Sequence, residues 1–282
     1  MRIAVLSGKG GTGKTLVSVN LAAAAPQALY VDCDVEEPNG HLFFRPEKLE
    51  STPVNVLIPQ FDWNLCNGCR KCIDFCKFNA LAYINDLPFL FPEICHSCGG
   101  CARVCPQKAI QDVPKGIGSI KRGTSEGVTM LSGIMKPGVV TGVPIIQRLL
   151  EMIEGEEGLI VLDSPPGTAC TAMETIRGSD YCLLVAEPTL FGMYNLESVC
   201  NLAKLFNKPF GIVLNKCTEE ENPSETFCRQ NGYPILASIP FDHELGLLNS
   251  NGGIAVRQLP TYQKLFQELL DTITEKAKRL CA

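Results

Sequence analysis

The sequence has no apolar run approaching the roughly 20 residues that cross a bilayer. Its opening, Met1-Arg-Ile-Ala-Val-Leu-Ser7, is not a charged segment followed by a long apolar core. Neither a spanning helix nor an export leader is expected, and a cytoplasmic location is. A basic excess is missing too: 25 Lys+Arg against 30 Asp+Glu give a net charge of −5. Proteins that grip a phosphate backbone are usually basic, so nucleic acid is not an expected partner. Also absent is the skewed composition of disordered, collagen-like or coiled-coil chains, since hydrophobic residues make up 45% and charged residues 20%. What is abundant is cysteine, 15 in 282 residues. In a reducing compartment disulfides are rare, so that count points to metal, and spacing decides which.

Eight of the cysteines fall between Cys66 and Cys105. On either side the chain alternates strand and helix. Ile3–Leu6, Ala28–Val31, Gly158–Leu162, Tyr181–Ala186, Phe210–Leu214 and Pro234–Ser238 are continuous apolar runs, as in strands buried on both faces of a parallel sheet. Helices are expected at Thr15–Ala25, Val143–Ile153 and Leu196–Phe206. The fold class is therefore α/β, a doubly wound and mostly parallel sheet. The cysteine-rich stretch breaks the alternation, and Pro53, Pro59, Pro114, Gly116 and Gly118 punctuate its borders. It is expected to be a small α+β domain at residues 60–113, inserted between residues 1–59 and 114–282 of the α/β domain. The same cysteine spacing occurs twice within it, an internal duplication.

Gly8-Lys-Gly-Gly-Thr-Gly-Lys-Thr15 matches G-x-x-x-x-G-K-[ST], with a strand before it and a helix after. Glycines let the backbone N–H groups of Gly8, Gly10, Gly11, Thr12 and Gly13 wrap around phosphates at a helix N-terminus. Lys14 is expected to reach the β- and γ-phosphates of ATP, and the Thr15 hydroxyl to ligate Mg²⁺. With Lys9, the loop resembles the deviant Walker A of the MinD/ParA/Mrp and nitrogenase iron-protein family. That resemblance implies that Lys9 reaches across a dimer to a partner's nucleotide, offsetting developing charge. It extends to Val31-Asp-Cys-Asp-Val35, similar to switch I, where Asp34 would position the attacking water and Asp32 is the weaker candidate. It extends also to Leu162-Asp-Ser-Pro-Pro-Gly167, similar to Walker B and switch II. There Asp163 would hold Mg²⁺ through water and the Gly167 amide would sense the γ-phosphate. Asn215-Lys216 and Ile239-Pro-Phe-Asp242, containing Pro240, resemble adenine-binding segments. The resemblance implies slow ATP hydrolysis catalysed by Lys9, Lys14 and Asp34, in a homodimer or a heterodimer with a similar ATPase.

Cys66-x2-Cys69-x2-Cys72-x3-Cys76 and Cys95-x2-Cys98-x2-Cys101-x3-Cys105-Pro106 carry the spacing of bacterial two-cluster ferredoxins. In that pattern three thiolates of a tight loop bind one [4Fe–4S] cube and the fourth cysteine serves the other. Cys66, Cys69, Cys72 and Cys105 are thus assigned to one cluster, and Cys95, Cys98, Cys101 and Cys76 to the second. Zinc also takes four cysteines, but commonly from paired C-x2-C knuckles. Lys77 stands where proline is usual after Cys76.

The other seven cysteines show no pairing and are expected to be small buried hydrophobes. Cys170 has a spacing from Asp163 similar to that of a bridging-cluster ligand in the nitrogenase iron protein, but the second ligand of that site has no match at 124–135. Tyr262, Leu265, Phe266, Leu269, Leu270, Ile273 and Ala277 recur at helical spacing. The opposite face, with Lys264, Glu268, Asp271, Glu275, Lys276 and Lys278, is mixed in charge, so packing on the sheet is expected ahead of a membrane surface. The function so implied is a nucleotide-gated redox protein with a redox or iron–sulfur acceptor protein as partner. An iron–sulfur cluster carrier is the alternative, although the C-x2-C pair such carriers use in their C-terminal half is absent. Spatial regulation at a membrane is a third.

Overall fold

The computed structural model describes residues 1–218 and 222–281. The apolar runs form strands β1 (Arg2–Leu6), β2 (Ala28–Asp32), and, past the insert, β8 (Leu159–Asp163), β9 (Tyr181–Ala186), β10 (Phe210–Cys217) and β11 (Ile235–Pro240). Between them run β3 (Glu50–Phe61), β4 (Leu81–Ile84), β5 (Leu87–Leu90), β6 (Ile110–Ser125) and β7 (Val128–Met135). Nine of the strands make one sheet in the order β11-β10-β9-β1-β8-β2-β7-β6-β3. Pairing is parallel from β11 through β7. It turns antiparallel at β7–β6 and β6–β3.

Helices cover both faces, which is why the central strands are apolar throughout. On one face lie α5 (Val143–Met152), α6 (Cys170–Arg177), α7 (Leu190–Leu205) and α8 (Pro223–Asn231), packing Ile145, Leu149, Ile176, Leu196, Val199 and Cys228 against the sheet. On the other lie α1 (Lys14–Ala24), α2 (Gly40–Phe44), α9 (His243–Ser250), α10 (Ala255–Gln258) and α11 (Pro260–Cys281). The face of α11 marked by the apolar spacing is internal: Tyr262, Phe266, Leu269, Leu270 and Ile273 are buried with Val17, Leu21 and Tyr30. The side chains of Lys278 and Cys281 lie outside the described residues. Helix α7 begins at Leu190, six residues before the apolar periodicity at Leu196, because the Thr189 hydroxyl caps it by accepting from the Gly192 N–H (2.9 Å).

The stretch expected to mark a domain border is sheet instead. β3 and β6 pair from Glu50↔Arg122 to Phe61↔Ile110, and β7 accompanies β6 only over Gly118–Ser125. The far half is therefore a two-stranded ribbon projecting from the sheet. Pro53 and Pro59 are admissible because β3 is the edge strand, and Pro114 because β6 has one neighbour at that point. Residues 62–109 cap the ribbon, closed by the Asp62 N–H donating to the Ala109 carbonyl (2.8 Å). They hold α3 (Lys71–Phe75), α4 (Gly100–Val104) and the β4–β5 hairpin. The duplication is visible in the backbone. Gly68 and Ser97, Arg70 and Gly99, and Asn79 and Lys108 are left-handed at equivalent steps of the two cysteine runs.

Candidate functional site

Parallel pairing lays the C-terminal ends of the strands along one edge, where ligands of open α/β sheets bind. Register brings Val5 and Asp32 level with Asp163, and Leu6 level with Leu184. The loop after β1 enters α1 through Gly13, which is left-handed (φ 92) with the Asn215 amide occupying the space of a side chain. No other residue fits there. The loop is held from behind: Asn215 Nδ2 donates to the Thr12 carbonyl (2.7 Å) and Lys216 Nζ to the Gly11 carbonyl (2.7 Å).

Beneath it lies a buried charge cluster. Lys14 Nζ donates to Asp163 Oδ1 at 2.5 Å, Ser18 Oγ to the same oxygen at 2.9 Å, and Tyr30 Oη to Asp163 Oδ2 at 2.7 Å. Burial works against the Lys14 ammonium, but Asp163, then Asp34 and Asp32, outweigh it and hold its pKa above the ordinary lysine value. Asp32 is pushed up by burial and then by Asp163. It accepts from the Gly40 N–H (2.8 Å) and the Asp34 N–H (3.3 Å), so it shapes the loop after β2 and does not face the cleft. Asp34 faces the cleft, and burial pushes its carboxyl up to about 6.

That shift has a sign. A carboxyl whose folded pKa is raised stabilises the fold fully below its unfolded value near 4, and loses this support as pH rises through about 6. Asp34→Asn, which stays neutral, should therefore match the wild-type melt near pH 4 and exceed it at pH 8. Differential scanning fluorimetry of nucleotide-free protein checks this; equal melts at pH 8 would show that the carboxylate costs the fold nothing.

The cleft holds about 470 Å³, within the range of small-molecule sites. Lys9, Gly10, Gly11, Thr12, Gly13, Lys14, Thr15, Asp34, Asn215 and Pro240 all line it. Three expected residues do not. Gly8 abuts the Asn195 carbonyl on α7 and is a packing glycine. Asp163 sits below the floor, 1% exposed. The Gly167 N–H is engaged with the Ser7 carbonyl (2.8 Å), so it senses a phosphate only if that bond opens. The Asn215 amide nitrogen is likewise committed to the loop. The cleft also takes in Lys216, Phe241 and Asn249, which the motif reading did not single out as ligands. Glu187, ion-paired with Lys9, was missed as well. Its place at the end of an apolar parallel strand was the available signal.

The chain matches the model of the CobQ/CobB/MinD/ParA nucleotide binding domain over residues 3–253. The chain belongs to this family. An uncharacterized protein of Methanocaldococcus jannaschii is 29% identical over 98% of this chain and 97% of its own length. An iron–sulfur cluster carrier protein of Pyrococcus horikoshii is 23% identical over 99% of this chain and 87% of its own length. In structure, the cell division ATPase MinD of Pyrococcus furiosus matches with a TM-score of 0.61 at 19% identity, covering 97% of this chain and 98% of that one. At such identity this last likeness speaks for the fold.

The cysteines form a second centre at the ribbon's far end. Cys66, Cys69, Cys72 and Cys105 line one cavity, with Phe61, Pro88 and Ile110. Cys76, Cys95, Cys98 and Cys101 line another, with Phe75, Phe78, Leu81 and Leu90. Each fourth cysteine thus crosses to the other run's cavity. Among the described residues no three His, Cys, Asp or Glu side chains converge as a single-ion site requires. Four thiols around an apolar space are a donor set that fits a cube with one iron per corner. The Ala109 N–H donates to Cys105 Sγ (3.3 Å). Outside this lobe, Cys33, Cys182, Cys200 and Cys228 are buried, Cys217 is half-buried and Cys170 is exposed.

Proposed function

We propose that this chain is an Mg²⁺-dependent ATPase that closes as a dimer on ATP and thereby gates electron transfer through two [4Fe–4S] clusters in the lobe at residues 60–113. Lys14 exchanges Asp163 for the β- and γ-phosphates. Thr15 would hold Mg²⁺, and Asp163 would join it once Lys14 has left its carboxylate. Asp34 orients the attacking water, and Lys9 serves the nucleotide across the dimer. The clusters, when bound, supply one-electron transfer to a redox partner. The family and the cleft support the ATPase; the two cysteine quartets support the clusters.

The gating is supported by a series of neighbours that leads from Asp34 toward the cysteines. The neighbouring Val35 accepts from the Met135 N–H (2.8 Å) and packs on Gly133 and Gly142. The segment that follows β7 lines a crevice with Val139, Val140, Thr141 and Pro144, and the opposite wall is Pro92, Cys95, His96 and Ser97. Lys115 on β6 fixes that wall by donating to the Pro92 carbonyl (2.7 Å). A switch that moves Val35 would shift one wall of the crevice whose other wall carries Cys95.

The test is anaerobic stopped-flow. Dithionite-reduced protein is mixed with oxidised cytochrome c in the presence of Mg-ATP or Mg-ADP. A rate differing at least about threefold is expected, with Asp34→Ala locked at the ATP value while hydrolysing at least about a hundredfold more slowly. Equal rates in the two nucleotides would overturn the gating. A second reading, delivery of clusters, draws on the Pyrococcus carrier relatives; transfer of iron and sulfide to an apo-ferredoxin would favour it.

A further inference from the structure

Under the dimeric reading, Lys9 is the residue that leaves its own chain. Here its ammonium is already engaged: it is ion-paired with Glu187 and lies 5.2 Å from the centre of the Phe191 ring. The Glu187 side chain is only 11% exposed, and its second oxygen is 3.7 Å from Lys216 Nζ. That same Lys216 donates to Gly11. One carboxylate thus stands between two cations on either flank of the phosphate loop.

Glu187 cannot follow Lys9 outward. It directly follows β9, and its carbonyl accepts from both Ser224 Oγ (2.7 Å) and the Thr189 N–H (2.9 Å). Lys9, 28% exposed on a flexible stem, can move. An ammonium drawn toward a phosphate in another chain weakens or gives up its contact with a carboxylate fixed in its own. The start of α7 around this pair also exposes Leu190, Phe191 and Tyr194 at 58–64%. Phe191 would be uncovered on its Lys9 side once the ammonium departs.

We propose that Glu187 is a positioning residue that holds Lys9 in its own chain, and that a second ATP-loaded copy must draw Lys9 away from it before the dimer closes. This rests on the dimeric ATPase reading. Closure is then opposed by the Glu187 contact and driven by the partner's triphosphate. ADP, lacking the γ-phosphate, offers Lys9 less in exchange. Glu187 meanwhile keeps Lys216 on Gly11, so the phosphate loop stays formed while Lys9 travels.

The test measures self-association of the full anaerobic chain by sedimentation velocity, with Mg²⁺ and a non-hydrolysable ATP analogue. Glu187→Gln keeps the shape and removes the charge. It should tighten analogue-dependent dimerisation about threefold or more. Glu187→Asp, which keeps the charge, should stay close to wild type. In a Lys9→Ala background the Glu187→Gln effect should vanish, an outcome that general loosening of the loop would not give. An unchanged dimer constant in Glu187→Gln, or an equal change with and without Lys9, overturns the proposal, as does a wild-type chain that binds the analogue but stays monomeric. Calorimetry of analogue binding separates the two levels: wild-type protein with no affinity for it removes the ATPase reading and this inference together, whereas normal affinity confines any failure to Glu187. A thermal melt of each variant confirms that it is folded.

Discussion

Lys14→Ala should lose ATP and lose stability, and the two losses should respond to pH in different ways. Lys14 is 7% exposed and Asp163 1% exposed, so the pair is shielded from solvent. Removing one partner of a buried pair costs roughly 3–5 kcal/mol, because the other charge is left uncompensated. Here the stranded group is a carboxylate near Asp32 and Asp34, whose repulsion Lys14 now offsets. Ser18 and Tyr30 still donate to Asp163, which softens the cost. A fall in Tm of about 5–15 °C at pH 8 follows for a chain this long. Protonating Asp32 and Asp34, whose carboxyls burial pushes up, removes the repulsion that the lysine offsets, so the difference should narrow toward pH 5. Affinity for ATP should instead drop about a hundredfold or more at both values, since the phosphates stay anionic and have lost a charge-assisted donor. Melts and isothermal titrations at the two pH values check both. A Tm penalty as large at pH 5 as at pH 8 would mean that Lys14 supports the fold by packing.

The parts of this molecule that were legible in the sequence are those where local chemistry dictates the structure. Strands β1, β2, β8, β9, β10 and β11 were visible because burial on both faces demands unbroken apolar runs. The phosphate loop was visible because its left-handed steps at Gly11 and Gly13 call for glycine. The long antiparallel extension was not. In β6, buried Ile117, Gly118 and Ile120 show no strict alternation, and Gly116, Gly118 and Pro114 read as loop punctuation. An edge strand tolerates them, but edge status is a property of the assembled sheet. Gly8, Gly167 and Asp163 were found as motif members, yet their present partners, Asn195, Ser7 and the trio Lys14, Ser18 and Tyr30, are set by tertiary packing. Glu187 belongs to the same class: its neighbours mark a strand end, while its pairing with Lys9 and Lys216 depends on how α7 meets the loop.

The cysteine lobe offers the second large effect, and a sharper one, because the crossing of the fourth cysteines between cavities makes double variants disagree with chain order. Cys76 follows Cys66, Cys69 and Cys72 in sequence but lines the cavity of Cys95, Cys98 and Cys101. If each cavity takes one cube, a single Cys76→Ala should lower iron from about eight to about four per chain. Adding Cys98→Ala should change little, since both residues serve the same cube. Adding Cys69→Ala should instead remove nearly all the iron. Sorting by chain order gives the opposite pair of outcomes, so colorimetric iron on anaerobic protein decides between them. The fold amplifies the effect. Between residues 62 and 109 the buried apolar core amounts to little beyond Leu81, Ala80 and Ala109, with Cys72 and Cys101 themselves filling the rest. So small a core supplies few kcal/mol, whereas structural metal ligation supplies on the order of 10 kcal/mol. Loss of both cubes should therefore open the lobe to protease while the sheet keeps its melt, because the β3–β6 ribbon continues into that sheet at Glu50–Val54 and Gly118–Ser125. Limited trypsin digestion should cut the iron-free chain within the lobe, at Arg70, Lys71, Lys77 or Arg103, and leave the holo lobe whole; equal cutting of both forms would mean that the polypeptide alone, without metal, holds this lobe together.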